Sequence, residues 1–273
     1  MKKKIIAIAA TAILGIVSFV ACKKESGSSS PVNVSNTSSN VWDKTVYQQI
    51  GDKHNELLDL YNAYGYDSSG QMLNYAQTGL FFDSVLAAQG YVSQFTAAQV
   101  SKLTEDAAGN YYADEQQMFA DMKQKFALYG QDSAMFSRKV DRLLALLQGV
   151  EQNANTTDDA LAFIQTYENE MDATPMSDDE RASILTSIYV YRASINYWKT
   201  HLPPADIVDL NGNQTLGGGW RCWTCVAAYD AIFGIVLSSA GPWTGLAGGA
   251  AMSVFARFCR CHKCTQFNNV SCG

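Results

Sequence analysis

The sequence predicts an all-α protein in which an acidic helical bundle is followed by a disulfide-stapled, hydrophobic helical hairpin. Apolar residues recur at three- and four-residue spacing through most of residues 41–202, as one buried helix face requires. We find no alternating apolar and polar run, bounded by turn signals, of the kind that predicts a sheet. Residues 220–273 differ from the bundle because they hold six of the seven cysteines and no charged side chain between Ala231 and Ala256.

Seven helices are predicted in the bundle. Their starts are marked by capping residues, whose side chains accept hydrogen bonds from the free backbone N–H groups of a first turn. We expect capping boxes at Thr96–Gln99 and Ser177–Glu180, and caps at Asp132 and Thr157. The second helix is expected over Tyr75–Ala88. Apolar faces are predicted for the first, fourth, fifth and seventh helices. In that order, their residues are Ile50, His54, Leu57, Leu58 and Tyr61; Phe119, Met122, Phe126 and Tyr129; Val140, Leu143, Leu144, Leu147 and Val150; and Ile184, Ile188, Tyr191, Ile195 and Trp198.

Charge is unevenly distributed along the chain. The net charge is −6 overall, with +4 in residues 1–25, +3 in residues 220–273 and therefore −13 in residues 26–219. An acidic body repels phosphates, so we expect no nucleic-acid partner. Aspartates and glutamates at Asp158–Asp159 and Asp178–Glu180 fall in predicted first helical turns, where the helix dipole favours negative charge. That placement accounts for them without a metal.

The N-terminus has the features of an export signal. Three lysines, Lys2 to Lys4, precede the apolar stretch Ile5–Val20, which is too short for an ordinary membrane span. The stretch ends Phe19-Val20-Ala21-Cys22, which resembles the lipobox of bacterial lipoproteins. The resemblance implies a signal peptide over residues 1–21 and a lipid anchor on Cys22.

Residues 22–40 are predicted to form a flexible tether, because the serine- and asparagine-rich stretch has too little apolar surface to fold. Its start, Lys23-Lys24-Glu25-Ser26, resembles the surface-export tag of Bacteroidota lipoproteins. Two later stretches, Ile50–Asp59 and Ser187–Trp198, resemble a pattern of uncharacterised lipoproteins from the same group. These resemblances imply an outer-membrane, lipid-anchored protein on the cell surface, with the two stretches belonging to one scaffold and touching each other.

Six cysteines remain once Cys22 is set aside, and an exported protein resides where thiols oxidise. We therefore expect three disulfides, with the pairing left open among fifteen possibilities. Zinc binding and redox chemistry are alternatives, because two Cys-x-x-Cys pairs are present. The apolar spacer between those pairs is longer than that of a usual zinc ribbon, and no βαβ pattern accompanies them. The six cysteines are Cys222, Cys225, Cys259, Cys261, Cys264 and Cys272.

Residues 203–219 are expected to be a linker that ends in Gly217–Gly219, and residues 220–273 a hairpin with arms 223–240 and 243–258. Gly245 and Gly249 form a Gly-x-x-x-Gly ridge that lets two helices approach closely. Packing or membrane contact is further expected of Trp220, Trp223 and Trp243. The cationic side chains at the stapled end, which suit an anionic membrane, are Arg221, Arg257, Arg260 and Lys263.

The order of this tail, Cys-x-x-Cys followed by a Gly/Ala-rich apolar segment and further cysteines, resembles the bacteriocin peptides of the halocin and sporulation-delaying types. The glycine triplet resembles the processing sites of many bacteriocin precursors. The resemblance implies a membrane-active tail carried by a lipoprotein, with a target-cell membrane or a surface receptor as partner. Two alternatives stay open: a hairpin that is a permanent part of the core, and a partner-binding surface module.

No catalytic motif is evident, so we expect a protein that is not an enzyme, with no cofactor, no metal and no small-molecule substrate. His54 is expected to be buried and hydrogen-bonded across the core rather than to act as a base with Glu56 or Asp59. His201 lies near a helix end, where a cation suits the dipole. The preferred functional hypothesis is a bacteriocin-like tail that the acidic bundle shields; the alternative is a non-enzymatic surface protein with a structural or binding role.

Overall fold

The expected all-α architecture is confirmed. The computed structural model describes residues 43–65, 70–71, 73–91, 96, 98–99, 102, 133–201, 219–238, 245–251 and 253, and within these ranges the chain is helical almost throughout and contains no β-strand. The predicted signal peptide, the tether, the fourth helix and almost all of the 203–219 linker lie outside the described residues. None of the described helices is long and apolar enough to span a bilayer.

Six helices have defined bounds in the described part of the chain. They are α1 (Lys44–Tyr64), α2 (Tyr75–Ala88), α3 (Ser133–Asn153), α4 (Thr157–Ala173), α5 (Asp178–His201) and α6 (Gly219–Ser238). Residues 245–251 and 253 are also helical, and we name them the second arm. The second predicted helix, Tyr75–Ala88, agrees with α2 at both ends.

Side-chain caps fix several helix starts. The Asp43 carboxylate accepts a hydrogen bond from the Thr45 N–H group at the start of α1, and Asn74 forms a reciprocal capping box at the start of α2. The predicted box at Thr96 is also present, because the Gln99 N–H group donates to Thr96 Oγ1 and the Thr96 N–H group donates to Gln99 Oε1.

The expectation that Thr157 caps α4 is wrong by one residue. The cap is Thr156, whose hydroxyl accepts from the Asp159 N–H group, while the Asp159 carboxylate accepts from the Thr156 N–H group in return. Thr157 is instead buried in the first turn. Two adjacent threonines made the sequence ambiguous, and the acid three residues further on selects the first of them.

The predicted capping box at Ser177 is only half formed. The Glu180 N–H group donates to Ser177 Oγ over 3.2 Å. The Glu180 side chain turns towards α3 instead, where its carboxylate accepts a hydrogen bond of 2.9 Å from Arg142 and lies 3.5 Å from Arg138. Glu180 is almost fully buried, so a cationic partner there compensates its desolvation better than a backbone amide does.

Helix α5 is the axis of the fold. Sixteen of its side chains are buried, and it packs against α1, α3, α4 and α6. Its inner face contains the expected residues Ile184, Ile188, Tyr191, Ile195 and Trp198, all of them buried. A helix buried on most sides must bury polar positions as well, because it has no free face on which to place them.

The buried polar positions of α5 are mostly small hydroxyl residues, which can form hydrogen bonds within the helix itself. Ser183, Thr186 and Ser187 each donate to the backbone carbonyl four residues earlier, so each buried hydroxyl is satisfied within its own helix. Such side chains are small enough to let neighbouring helices approach. Helix α1 approaches α5 at Gly51, where a Cβ atom would lie 3.0 Å from the Tyr189 carbonyl oxygen and 3.1 Å from Ala193 Cβ. The two stretches expected to touch therefore do pack together.

A buried carboxylate joins α1, α4 and α5. Glu168 accepts hydrogen bonds from the Tyr189 hydroxyl at 2.9 Å and from Arg192 at 2.6 Å, and Lys44 Nζ lies 2.9 Å from it. Burial opposes the charge on Glu168, but the bonds from Lys44, Arg192 and Tyr189 outweigh that effect and lower the pKa of the carboxyl below its usual value.

Replacing Glu168 by glutamine is expected to cost about 1.5–3 kcal/mol of unfolding free energy at pH 7, since the hydrogen bonds to a charged acceptor are lost. A lowered folded-state pKa contributes stability above the unfolded pKa, roughly 4.3 for glutamate, and loses it as the pH falls through the folded pKa. The difference between wild type and Glu168→Gln should therefore shrink below about pH 4 in urea titrations. The exposed Glu170→Gln on the same helix is the control; an equal loss there would contradict the assignment.

Candidate functional site

The C-terminal segment folds as two packed helical arms. Gly249 of the second arm lies against α6, where a Cβ atom at Gly249 would be 2.9 Å from the Asp230 carbonyl oxygen. Gly234 of α6 lies opposite Gly245, with 4.0 Å between its Cβ position and the Gly245 carbonyl oxygen. Residue numbers rise along one arm as they fall along the other, so the arms run antiparallel. The glycine at 249 thus permits a close approach of the two backbones.

One face of α5 contacts both α6 and the second arm, and we name the residues of this face the docking stripe. Ser187 lies opposite Gly234, and Val190 lies opposite Gly249, 3.3 Å from the position that a Cβ atom would take. Further along the helix, Ser194 donates a hydrogen bond to Asp230, and the Trp198 indole N–H donates to Ser253 Oγ over 3.0 Å. The stripe consists of Ser187, Val190, Ser194 and Trp198, spaced so that all four fall on one face of α5.

Asp230 is the polar centre of this contact. It is fully buried near the middle of α6, and its Oδ2 atom accepts hydrogen bonds from the hydroxyls of Ser194 and Ser253. Nε2 of His54, from α1, lies 3.4 Å from the same oxygen. Oδ1 has no hydrogen-bond partner among the described residues. The group therefore joins α1, α5, α6 and the second arm at a single carboxylate.

His54 is fully buried, as expected, but its partner is distant in the sequence. Its Nδ1 atom lies 3.1 Å from Asn55 Oδ1, and the Asn55 amide donates to the Ala193 carbonyl of α5 over 3.2 Å. Neither Glu56 nor Asp59, the acids considered from sequence, is its partner: Glu56 pairs with Lys53, and Asp59 accepts from the Tyr197 hydroxyl.

The electrostatics of this cluster are dominated by desolvation. Burial raises the pKa of the Asp230 carboxyl above its ordinary value, although His54 and the hydroxyls of Ser194 and Ser253 pull it down. Burial prevails because each of these contacts compensates only part of the lost hydration of a carboxylate.

The cluster contains the residue types of a hydrolytic triad but not its connections. In a triad the hydroxyl bonds to the imidazole, which in turn bonds to the acid. Here Ser194 and Ser253 both donate to the carboxylate, and neither is hydrogen-bonded to His54 in the described contacts. All four side chains are fully buried, so a substrate has no access to them. The geometry is that of a docking contact.

The structure describes only part of the site predicted from sequence. Trp223 is buried in α6, and Gly245 and Gly249 lie in the second arm at the contact with α6. The backbone of four further residues is part of α6, but their side chains are outside the described part of the chain: Trp220, Arg221, Cys222 and Cys225. The remaining predicted site residues lie outside the described residues: Cys22, Trp243, Arg257, Cys259, Arg260, Cys261, Lys263, Cys264 and Cys272. The expected disulfides, and the zinc and redox alternatives, therefore stay predictions.

Sequence reasoning missed Asp230 and the serines that bind it. One signal was available: Asp230 is the only acidic residue in residues 220–273, and it directly precedes the long uncharged run. A lone acid in an apolar helix requires a partner, and a histidine on a predicted apolar helix face is a candidate for that partner. Ser194 and Ser253 carried no comparable signal, because small hydroxyl residues are common throughout both segments.

Comparison with known proteins gives no match for this chain, whether with protein-family models, with curated proteins or with solved structures.

Replacing Gly249 by alanine is expected to destabilise the protein by about 1–3 kcal/mol, because the new methyl group would meet backbone atoms that cannot rotate away. Gly234→Ala is the matched control, since its Cβ position has ordinary contacts, the nearest being Ser187 Oγ at 3.8 Å. Alanine at 234 should change stability by less than about 1 kcal/mol, and its better helix propensity favours a gain. Urea unfolding measures both; equal losses would rule out close packing at Gly249.

Proposed function

We propose that this chain is an exported, lipid-anchored surface protein without catalytic activity, whose C-terminal hairpin is a permanent part of its folded core. Its role is then structural or that of a binding protein at the outer membrane. The supporting observation is that α6 packs along the central helix α5, with Asp230 buried against Ser194 and His54.

The surface that release would uncover argues for permanence. Loss of the hairpin would expose Trp198 and Val190 of the docking stripe, together with the apolar residues of α6 itself. Each large apolar side chain returned to water costs about 1.5–3 kcal/mol, while a whole domain is stable by only about 5–15 kcal/mol. Release of the hairpin would therefore remove a large part of the free energy that keeps the remaining bundle folded. Among the described side chains of α6, the buried apolar ones are Trp223, Val226, Ala227, Ala228, Ala231, Ile232 and Ile235.

A second candidate is a bacteriocin-like, membrane-active tail that the acidic bundle shields until release. It is favoured by the position of the glycine triplet, since α6 begins at Gly219 and cleavage after the triplet would remove only the first residue of the helix. The tail also has contacts of its own, because Ser253 donates to Asp230 and Gly249 packs on the Asp230 backbone. A released segment would keep both contacts.

Engineered cleavage of the chain distinguishes the two candidate functions. A protease site is introduced into residues 217–219, and the oxidised protein is compared before and after cleavage. With a permanent core, the cut fragments should co-elute in size-exclusion chromatography, and dye trapped in anionic vesicles should stay inside. Dissociation of a fragment that starts near Trp220, together with vesicle leakage, would favour the membrane-active tail and contradict the permanent core.

Natural processing is tested by the intact mass of the C-terminal species from producing cells. The first candidate predicts only the lipidated chain that begins at Cys22, with its C-terminal segment uncut. A fragment starting near Trp220, and six hydrogens lighter before reduction, would overturn it and would also establish the three disulfides.

Lipid anchoring is tested separately. Cys22→Ser is expected to abolish the incorporation of labelled palmitate supplied to the producing cells, because the acylated thiol is lost. Cys272→Ser, which leaves the lipobox intact, is the matched control and should still incorporate the label. Wild-type incorporation by the Cys22→Ser protein would contradict a lipid anchor at this position.

A further inference from the structure

The orientation of Asn55 determines which nitrogen of His54 carries a proton. The Asn55 amide nitrogen donates to the Ala193 carbonyl oxygen, so its other terminal atom, Oδ1, is the one that faces His54 Nδ1 at 3.1 Å. An amide oxygen only accepts hydrogen bonds. The Nδ1 atom of His54 must therefore carry a proton. If the imidazole is neutral, Nε2 then has a lone pair and no proton.

That lone pair faces a second acceptor. Nε2 of His54 lies 3.4 Å from Oδ2 of Asp230, and both side chains are fully buried. Two lone pairs at this distance repel each other in an interior of low dielectric constant. One proton between them removes the repulsion, whether it resides on the imidazole or on the carboxyl group. The pair then carries no net charge, which is also what burial favours.

The charged groups on neighbouring elements are engaged elsewhere. On α1, Lys53 pairs with Glu56; on α5, Arg192 pairs with Glu168, and Lys199 lies 3.5 Å from Asp158. Burial raises the pKa of Tyr191 on α5, so its phenol stays neutral. The described side chains of α6 and the second arm include no charged group besides Asp230. None of these groups replaces the proton between His54 and Asp230.

We propose that docking of the C-terminal hairpin takes up one proton, held between His54 Nε2 and Asp230 Oδ2, so that the hairpin is held less tightly as the pH rises above neutrality. In the unfolded chain at pH 8 the imidazole is neutral and the carboxylate is charged. Docking then has to bind a proton from water, and its equilibrium constant falls by up to tenfold per pH unit. This proton dependence is separate from either candidate function.

The test compares wild type with Asp230→Asn in the full, oxidised chain, purified in detergent. The asparagine amide supplies its own N–H group to the Nε2 lone pair, so docking of the variant needs no proton. The ratio of the wild-type to the variant folding constant should fall by about tenfold per pH unit and about one hundredfold from pH 6 to pH 8, which corresponds to roughly 2.7 kcal/mol. A ratio that stays constant over this range would overturn the proposal.

The matched control is His201→Gln. His201 is exposed at the end of α5, and its Nε2 atom lies 3.9 Å from Asp59. An exposed pair of this kind contributes little, so the ratio of wild type to this variant should change by less than about threefold from pH 6 to pH 8. A change as large as that of Asp230→Asn would assign the pH dependence to histidine content rather than to the buried pair, and would also overturn the proposal.

A measurement on the wild type covers the case in which Asp230→Asn does not fold. Nitrogen-15 NMR of the histidine rings should show His54 protonated at Nδ1, with ring shifts that do not change between pH 6 and pH 8. A His54 ring that carries its proton only on Nε2, or whose shifts change over that range, would contradict the shared proton.

Discussion

A carboxylate in a protein interior is costly unless hydrogen bonds and an opposite charge replace its lost water. Asp230 meets this constraint by drawing on three other elements: Ser194 from α5, Ser253 from the second arm and His54 from α1. Because each donor must reach one atom, the carboxylate fixes how the elements sit relative to one another. Apolar packing alone tolerates small shifts along a helix, whereas a hydrogen bond at one oxygen does not.

The remainder of the core is arranged around α5, which packs against α1, α3, α4 and α6. Helix α5 contacts the Glu168 cluster through Tyr189 and Arg192, and it contacts the hairpin along the docking stripe. Its buried hydroxyls bond mostly to its own backbone, which frees its surface for close contact. Ser194 departs from this pattern and bonds to Asp230. The polar groups of α5 therefore both permit its burial and determine its partners.

The sequence predicted the helices well and their mutual contacts less well. Periodic apolar positions and caps identify helices locally, so α2 was predicted to the residue and the inner faces of α1 and α5 were correct. Thr156 and Glu180 show the limit of prediction from local patterns. The sequence offered two adjacent threonines as the cap of α4, and only the structure identifies Thr156. Whether Glu180 bonds back to its own helix or to Arg142 depends on a residue distant in the chain. The pairing of His54 with Asp230 is of the same kind. No local pattern relates residues so far apart.

The contact between His54 and Asp230 has a consequence for the order of folding. A chain is made from its N-terminus, so α1 and α5 exist before α6 has been synthesised. Until then His54 and the docking stripe lack the group that covers them, and closing so long a loop carries an entropic cost that local helix formation does not. The core is thus completed late, by roughly the last fifth of the chain. A chain truncated before residue 230 would leave the docking stripe uncovered and the bundle destabilised, so the chain reaches its native state only once the C-terminal segment has docked.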